Sequence, residues 1–218
     1  MEPSEVFRDI LQAAVQIPEP FSALSEDDKK SARELLALFE HAESQYGVGP
    51  HGEVIRALLL SKNGRFEEAV ALAEQRYREA PNWKTAVAVA NAARRGGDLD
   101  RAAAMFAKGA EHDPQDLTCF LEIGDIRLHQ ARWADALSAY EAALAKEPSH
   151  QWALPSAFYC RHQLRIPGNW LASLREVANQ ESCTCGLEGC LTVIFGGYGT
   201  RQGIARAKHL LERMGAEA

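Results

Sequence analysis

The chain has 218 residues, of which 46% are hydrophobic and 25% are charged, a composition typical of globular proteins and not of disordered or fibrous ones. Its 30 acidic residues outnumber the 24 basic ones and give a formal net charge of -6, which argues against nucleic acid as the partner. The N-terminus is acidic where a signal peptide would be basic, and no apolar run is long enough to span a bilayer. We therefore expect a cytoplasmic protein that does not contact a membrane.

Residues 1–49 are predicted to form N-terminal capping helices. A short helix over about 4–16 carries apolar residues on one side and is interrupted by Ile17-Pro-Glu-Pro20. Both docking against the next helix and a mobile segment fit this pattern. The segment Ser25-Glu-Asp-Asp28 then resembles a capping box, and apolar residues at helical spacing predict an amphipathic helix that ends at Gly47.

The central part of the chain repeats itself. Three consecutive segments share a turn, a large apolar residue and an alanine three residues later, and each repeat closes with a proline. Both the alanines and the prolines recur at intervals of 33 and 34 residues, so two independent markers report one period. The alanines are Ala69, Ala102 and Ala136, and the prolines are Pro81, Pro114 and Pro148.

Each repeat is predicted to be a pair of helices. Apolar residues recur at the three- and four-residue spacing of helix faces, and proline stops the second helix because it lacks an amide donor. Small residues at Ala57, Ala90 and Gly124 fall where the paired helices must approach each other closely. The sequence therefore predicts three helix pairs, over residues 50–82, 83–116 and 117–150.

This arrangement resembles the tetratricopeptide repeat (TPR) family. Its pattern has a large residue, an apolar-Gly/Ala pair and an aromatic residue in the first helix, then alanine, an aromatic residue, alanine and proline in the second. Repeat 117–150 matches the pattern best, whereas repeat 83–116 has Gly109 where alanine is expected and repeat 50–82 lacks the large early residue. The resemblance implies an all-α, right-handed superhelical array of helix-turn-helix repeats. The matching residues of repeat 117–150 are Phe120, Ile123, Gly124, Ala136, Tyr140, Ala143 and Pro148.

The remainder of the chain departs from this pattern. Residues 151–180 are predicted to be a degenerate fourth repeat, and residues 181–218 a Cys- and Gly-rich segment followed by a C-terminal helix over about 201–214. Residues 187–198 fit either a strand or a short helix. We favour the helix, because a lone strand has nothing to pair with.

The resemblance also implies where a partner binds. In such arrays the first helix of each repeat lines a concave groove, and its outward side chains contact a peptide or protein. The expected function is a non-catalytic scaffold or adaptor, with self-association as a further option. For each charge the alternative is an ordinary solvated surface, and for the aromatic residues it is packing within the fourth repeat. The carried-over positions are Lys84, Asn91, Arg94, Arg95, Glu122, Asp125, His129, Trp152, Tyr159 and His162.

A second hypothesis comes from the cysteines. Cys183, Cys185 and Cys190 lie within eight residues, and thiolates so spaced are able to ligate zinc, with His209 as the candidate fourth ligand. Buried free thiols and a redox pair are the alternatives. If the cluster is functional, the chain is a metal- or thiol-dependent sensor or enzyme accessory protein with the repeats as a docking arm. No other cofactor is expected.

Overall fold

The computed structural model describes residues 3–17, 24–47, 52–150 and 152–169. All regular secondary structure in these residues is α-helical, as the repeat pattern predicts. The predicted segment 181–218 and the ambiguous residues 187–198 lie outside the described residues. The helices are α1 (Pro3–Gln16), α2 (Glu26–Tyr46), α3 (Gly52–Lys62), α4 (Phe66–Glu79), α5 (Trp83–Arg95), α6 (Leu99–His112), α7 (Thr118–His129), α8 (Trp133–Leu144) and α9 (Ala153–Gln163).

The chain divides into two compact units, Met1–Asp113 and Pro114–Ala218. The N-terminal unit holds α1 to α6 as three pairs of consecutive helices, α1 with α2, α3 with α4, and α5 with α6. The first helices also contact one another in chain order, α1 with α3 and α3 with α5. The described part of the C-terminal unit holds α7, α8 and α9, with α8 packed on both others. The domain boundaries that the sequence suggested remain predictions.

Helix α1 docks on its neighbours, which decides between the two alternatives that the sequence left open. Its apolar side is buried at Ile10, Ala14 and Ile17, and the Phe7 ring lies edge-on to Phe39 of α2 with 5.7 Å between the centroids. The buried ammonium of Lys62, at the end of α3, donates to the carbonyl oxygen of Ile17 at 2.5 Å. Helix α1 therefore occupies the place of a first helix beside α3.

Helix α2 begins and ends where the sequence predicted. The amide of Asp28 donates to Ser25 Oγ at 3.1 Å and the amide of Ser25 donates to Asp28 Oδ2 at 3.2 Å, which completes the capping box. At the other end Gly47 has a φ of 75°, and its amide donates to the carbonyl of Glu43. Glycine suits this terminus because it lacks the Cβ that disfavours positive φ.

The core of the C-terminal unit forms around Tyr140 of α8, whose side chain is fully buried. Gly124 of α7 lies directly against it: a Cβ built on Gly124 would be 2.5 Å from Tyr140 Cε1. No side chain larger than hydrogen fits there without displacing the ring. The close approach of paired helices that the sequence predicted at this glycine is confirmed.

Candidate partner-binding faces

The predicted groove residues of the N-terminal unit all lie on α5. The buried side of this helix carries Ala86, Val89 and Ala93, and the opposite side is open or half-buried along its whole length. Helical periodicity places the predicted residues on that open side. We call this surface the α5 face, and its members are Lys84, Val87, Ala88, Asn91, Arg94 and Arg95.

Capping fixes both ends of α5. Asn82 accepts from the amide of Thr85 at 3.2 Å, and Thr85 Oγ1 accepts from the amide of Asn82 at 3.1 Å. The helix contains no acidic residue, and its two arginines stand in the last turn, where positive charge complements the helix dipole. All charged residues of the α5 face are therefore basic, on a helix with a defined start and end.

Asn91 lies in the middle of this face. Arg94 Nη2 donates to Asn91 Oδ1 at 3.1 Å, one turn along the helix. An amide is suited to hold a peptide backbone, because one side chain both donates and accepts hydrogen bonds. The contact with Arg94 fixes the side chain before any partner binds, which lowers the entropy lost on binding.

Helix α3 adds an apolar surface beside the α5 face. Val54, which is 57% exposed, and the half-buried Leu58 lie on the side of α3 opposite its buried residues. The last turn of α3 is covered, since Ser61 and Lys62 are buried and Lys62 is bonded to Ile17. The open first-helix surface of this unit therefore combines an apolar part on α3 with a basic part on α5.

In the C-terminal unit, Asp125 is committed to an internal hydrogen-bond network. Its Oδ1 accepts from the Tyr140 hydroxyl at 2.5 Å and from the Trp152 indole nitrogen at 3.2 Å. The carboxylate thus connects α7, α8 and the residue that precedes α9. The other predicted residues of α7 are Glu122, which is half-buried, and His129, which is exposed.

Tyr140 of this network and Cys160 of the same core cluster are fully buried. Burial, together with the neighbouring Asp125 carboxylate, raises the pKa of Tyr140 well above its usual value. Burial also raises the pKa of the Cys160 thiol to about 12. Both groups therefore stay protonated at neutral pH, and the cluster is arranged to hold helices together.

The predicted residues at α9 are placed differently from one another. Trp152 is half-buried and bonded to Asp125, His162 is half-buried, and Tyr159 is only 6% exposed. The Tyr159 ring lies edge-on to Trp133 of α8, with 5.7 Å between the centroids. The structure thus brings Asp125 and Trp152 together. Tyr159 lies in the core, as expected if this residue packs within the fourth repeat and does not line a groove.

One residue that positions α9 was missed by the sequence analysis. The Nδ1 atom of His150 accepts from the amides of Trp152 and Ala153, both at 3.2 Å, and so caps the helix. Histidine is not among the preferred N-cap residues, so the sequence carried no signal for this role. The cap lies at the start of α9, next to Trp152, whose indole donates to Asp125.

The predicted metal ligands Cys183, Cys185, Cys190 and His209 lie outside the described residues. Within the described ranges, no three His, Cys, Asp or Glu side chains are grouped to hold a metal ion. The two cysteines of these ranges, Cys119 and Cys160, are buried free thiols. No helix of the described part is both long enough and apolar enough to cross a membrane.

Comparison with known proteins identifies the fold. No family model matches the sequence, and no curated protein matches it. Among solved structures, residues 41 to the end of MamA from Desulfovibrio magneticus RS-1 share a TM-score of 0.59 at 12% identity, covering 84% of this chain and 98% of that one. YrrB, described as a TPR protein with an unusual peptide-binding site, has a TM-score of 0.53 at 11% identity, covering 84% and 95%.

A second MamA structure, from AMB-1, agrees with these two. Its TM-score is 0.56 at 14% identity, covering 83% of this chain and 92% of that one. At such low identity these likenesses establish the fold alone. The chain has the fold of TPR proteins, which confirms the resemblance inferred from the 33- and 34-residue period.

Proposed function

We propose that this chain, which has the fold of TPR proteins, is a non-catalytic scaffold that binds a peptide or protein segment on the open faces of its first helices. The α5 face carries the proposal, because one exposed to half-buried helix side holds an amide, three basic side chains and two short apolar side chains. That combination suits backbone recognition by Asn91 with side-chain contacts around it.

The basic residues on the second helices of the same unit form ion pairs with carboxylates. On α4, Arg76 pairs with Glu53 and Glu79, and on α6, Lys108 pairs with Glu111 at 2.9 Å. These are ordinary surface ion pairs, which contribute little to stability and present no concentrated charge. The similarity to YrrB, whose description includes a peptide-binding site, supports the proposal by analogy.

The proposal is tested by partner capture with matched variants. A photoreactive amino acid in place of Ala88, at the centre of the α5 face, is expected to crosslink one or a few discrete partners. Asn91→Ala is expected to reduce that yield, whereas Lys108→Ala on a second helix of the unit is the control and should leave it unchanged. Equal yields from both variants would contradict binding at this face. Light scattering at a mass well above 24.0 kDa would identify the partner as a second copy of the chain.

The thiol-based alternative rests on the spacing of Cys183, Cys185 and Cys190 in the sequence. Elemental analysis of protein purified without chelator, repeated on Cys185→Ser, distinguishes it from the scaffold proposal. About one zinc per chain that is lost in the variant would add a metal-dependent role to the C-terminal segment. Metal-free protein with five titratable thiols would remove that alternative and leave the α5 face as the working surface.

A further inference from the structure

We propose that Asn63 is a deamidation site, and that its conversion to aspartate or isoaspartate loosens the contact between the first two helix pairs. The fold slows this reaction, which proceeds when the turn between α3 and α4 opens. The modification does not depend on partner binding at the α5 face.

The turn between α3 and α4 contains the single Asn-Gly pair of the chain, Asn63-Gly64. This pair deamidates most readily because glycine has no side chain to hinder attack by its own amide nitrogen. A bond forms between Gly64 N and Asn63 Cγ, the Cγ–Nδ2 bond breaks, and ammonia leaves with the amide proton. Water then opens the cyclic imide and gives aspartate or isoaspartate. A surface cavity of about 360 Å³ beside Asn63, which Leu36 and Ala37 of α2 also line, gives solvent access.

The equivalent turns of the next two repeats lack this chemistry. Gly96-Gly97 has no side-chain amide, and Gln130-Ala131 has an amide one methylene longer, followed by a residue whose Cβ hinders the attack. The turns are alike in their backbone, since Gly64, Gly97 and Ala131 have φ values of 74°, 85° and 57°. The reactivity therefore belongs to the residues of the first turn and not to the turn conformation, and Gln130 serves as an internal control.

In the folded chain both reacting groups are held by hydrogen bonds. Asn63 Nδ2 donates to the carbonyl oxygens of Leu59 at 2.8 Å and Ala32 at 2.9 Å. The Gly64 amide donates to the carbonyl oxygen of Ser61 at 3.0 Å. Cyclisation requires the side chain to turn away from both carbonyls and the amide to lose its proton. The rate of deamidation should therefore follow the fraction of chains in which this turn is open.

The bond from Asn63 to Ala32 joins the end of α3 to α2, across 31 positions of the sequence. Ala32 is fully buried and belongs to a cluster with Ile17 and Leu24. An aspartate side chain has no donor at neutral pH, so its carboxylate would face two carbonyl oxygens within hydrogen-bond distance. Isoaspartate also lengthens the backbone by one methylene. Either product therefore removes the hydrogen bond that Asn63 makes to α2.

The site is tested on the full chain at mildly alkaline pH, with and without guanidinium chloride. Proteolysis after glutamate releases residues 54–67, and mass spectrometry of this peptide measures the replacement of the amide by a carboxyl group. We expect deamidation of Asn63 to be at least about tenfold faster in denaturant than in the folded chain. The amide of Gln130 should stay intact in both conditions. An Asn63→Gln variant should keep its amide in denaturant, because cyclisation would then need a six-membered ring.

Each part of the reaction has an outcome that would overturn it. An intact Asn63 amide after incubation in denaturant would overturn the deamidation site. Equal rates with and without denaturant would overturn the protection by the fold.

The structural consequence is tested with Asn63→Asp, which is one product of the reaction, by hydrogen exchange. We expect amide exchange in α2 to be about three- to tenfold faster than in the parent chain, with no change in α8 of the other unit. Asn91→Asp adds the same charge on α5 and should leave the exchange of α2 unchanged. Circular dichroism confirms that each variant is folded. Equal exchange of α2 in Asn63→Asp and the parent chain would overturn the loosening of the first helix pair.

Discussion

The two units use one repeat position in opposite ways. Asn91 in the N-terminal unit and Asp125 in the C-terminal unit are 34 residues apart, one repeat period, and both are carried by a first helix. Asn91 contacts Arg94 on the outer face of its own helix. Asp125 instead accepts hydrogen bonds from Tyr140 and Trp152.

The difference originates on the second helix. The residue 34 positions before Tyr140 is Phe106, which is equally buried but has no hydroxyl. A buried hydroxyl requires a hydrogen-bond partner, and Asp125 supplies it. One hydroxyl group on α8 therefore accounts for the structural role of Asp125, which Asn91 does not share. The comparison teaches that the groove positions of a repeat cannot be carried over without inspecting the aromatic residue behind them.

The largest effect that should distinguish the two units is a loss of stability of the C-terminal unit at alkaline pH. Burial raises the Cys160 pKa from 9.0 to about 12, so the unfolded chain loses this proton first as pH rises. The protonated thiol therefore contributes fully to the free energy of unfolding below pH 9. Between pH 9 and 12 this free energy falls, by roughly 4 kcal/mol at most. Urea unfolding at several pH values between about 8 and 11 measures it, and Cys160→Ala should reduce the pH dependence, leaving the part that arises from Tyr140. If the stability of Cys160→Ala depended on pH as strongly as that of the parent chain, burial of Cys160 would not be the cause.

The next largest effect is expected from Gly124→Ala. The new methyl group would meet the Tyr140 ring at 2.5 to 2.7 Å, and we expect a loss of about 3 kcal/mol in the free energy of unfolding despite the better helix propensity of alanine. Since all five cysteines lie after residue 114, thiol labelling of Cys119 and Cys160 in urea reports on the C-terminal unit. Adding Tyr140→Leu should restore part of the loss. If Gly124→Ala were as stable as the wild type, α7 and α8 would be able to move apart at little energetic cost.

The comparison of Asn91 with Asp125 is tested directly by alanine substitution at each. Asp125→Ala leaves the buried Tyr140 hydroxyl without its acceptor, and we expect a loss of about 2 kcal/mol. Asn91→Ala should change stability by less than about 0.5 kcal/mol, because its contacts are on the surface. Tyr140→Phe is the matched control: combined with Asp125→Ala it should cost clearly less than the sum of the two single changes. Additive losses would mean that the two side chains do not depend on each other.

These residues show how much of the structure can be predicted from the sequence. The 33- and 34-residue period predicted the helix pairs, and the small residue at Gly124 was correctly placed at a close approach, because both depend on local spacing. The docking of α1 could not be decided, since it depends on the contact of Lys62 with the Ile17 carbonyl, 45 positions away. The network at Asp125 and the cap at His150 were missed because each requires knowing which side chains meet in the folded chain.

The smallest effect concerns the turns between paired helices. Gly64 and Gly97 have φ values of 74° and 85°, and the equivalent residue of the C-terminal unit, Ala131, has a φ of 57°. Positive φ costs an alanine roughly 0.5 to 1 kcal/mol relative to glycine. Ala131→Gly should therefore stabilise the C-terminal unit by about that amount, measured as a rise in the urea midpoint at constant slope. The reverse change, Gly97→Ala, has open space around its Cβ, so its expected loss of similar size reports backbone strain alone. The two variants should shift the urea midpoint in opposite directions. A shift in the same direction would contradict the backbone strain assigned to Ala131.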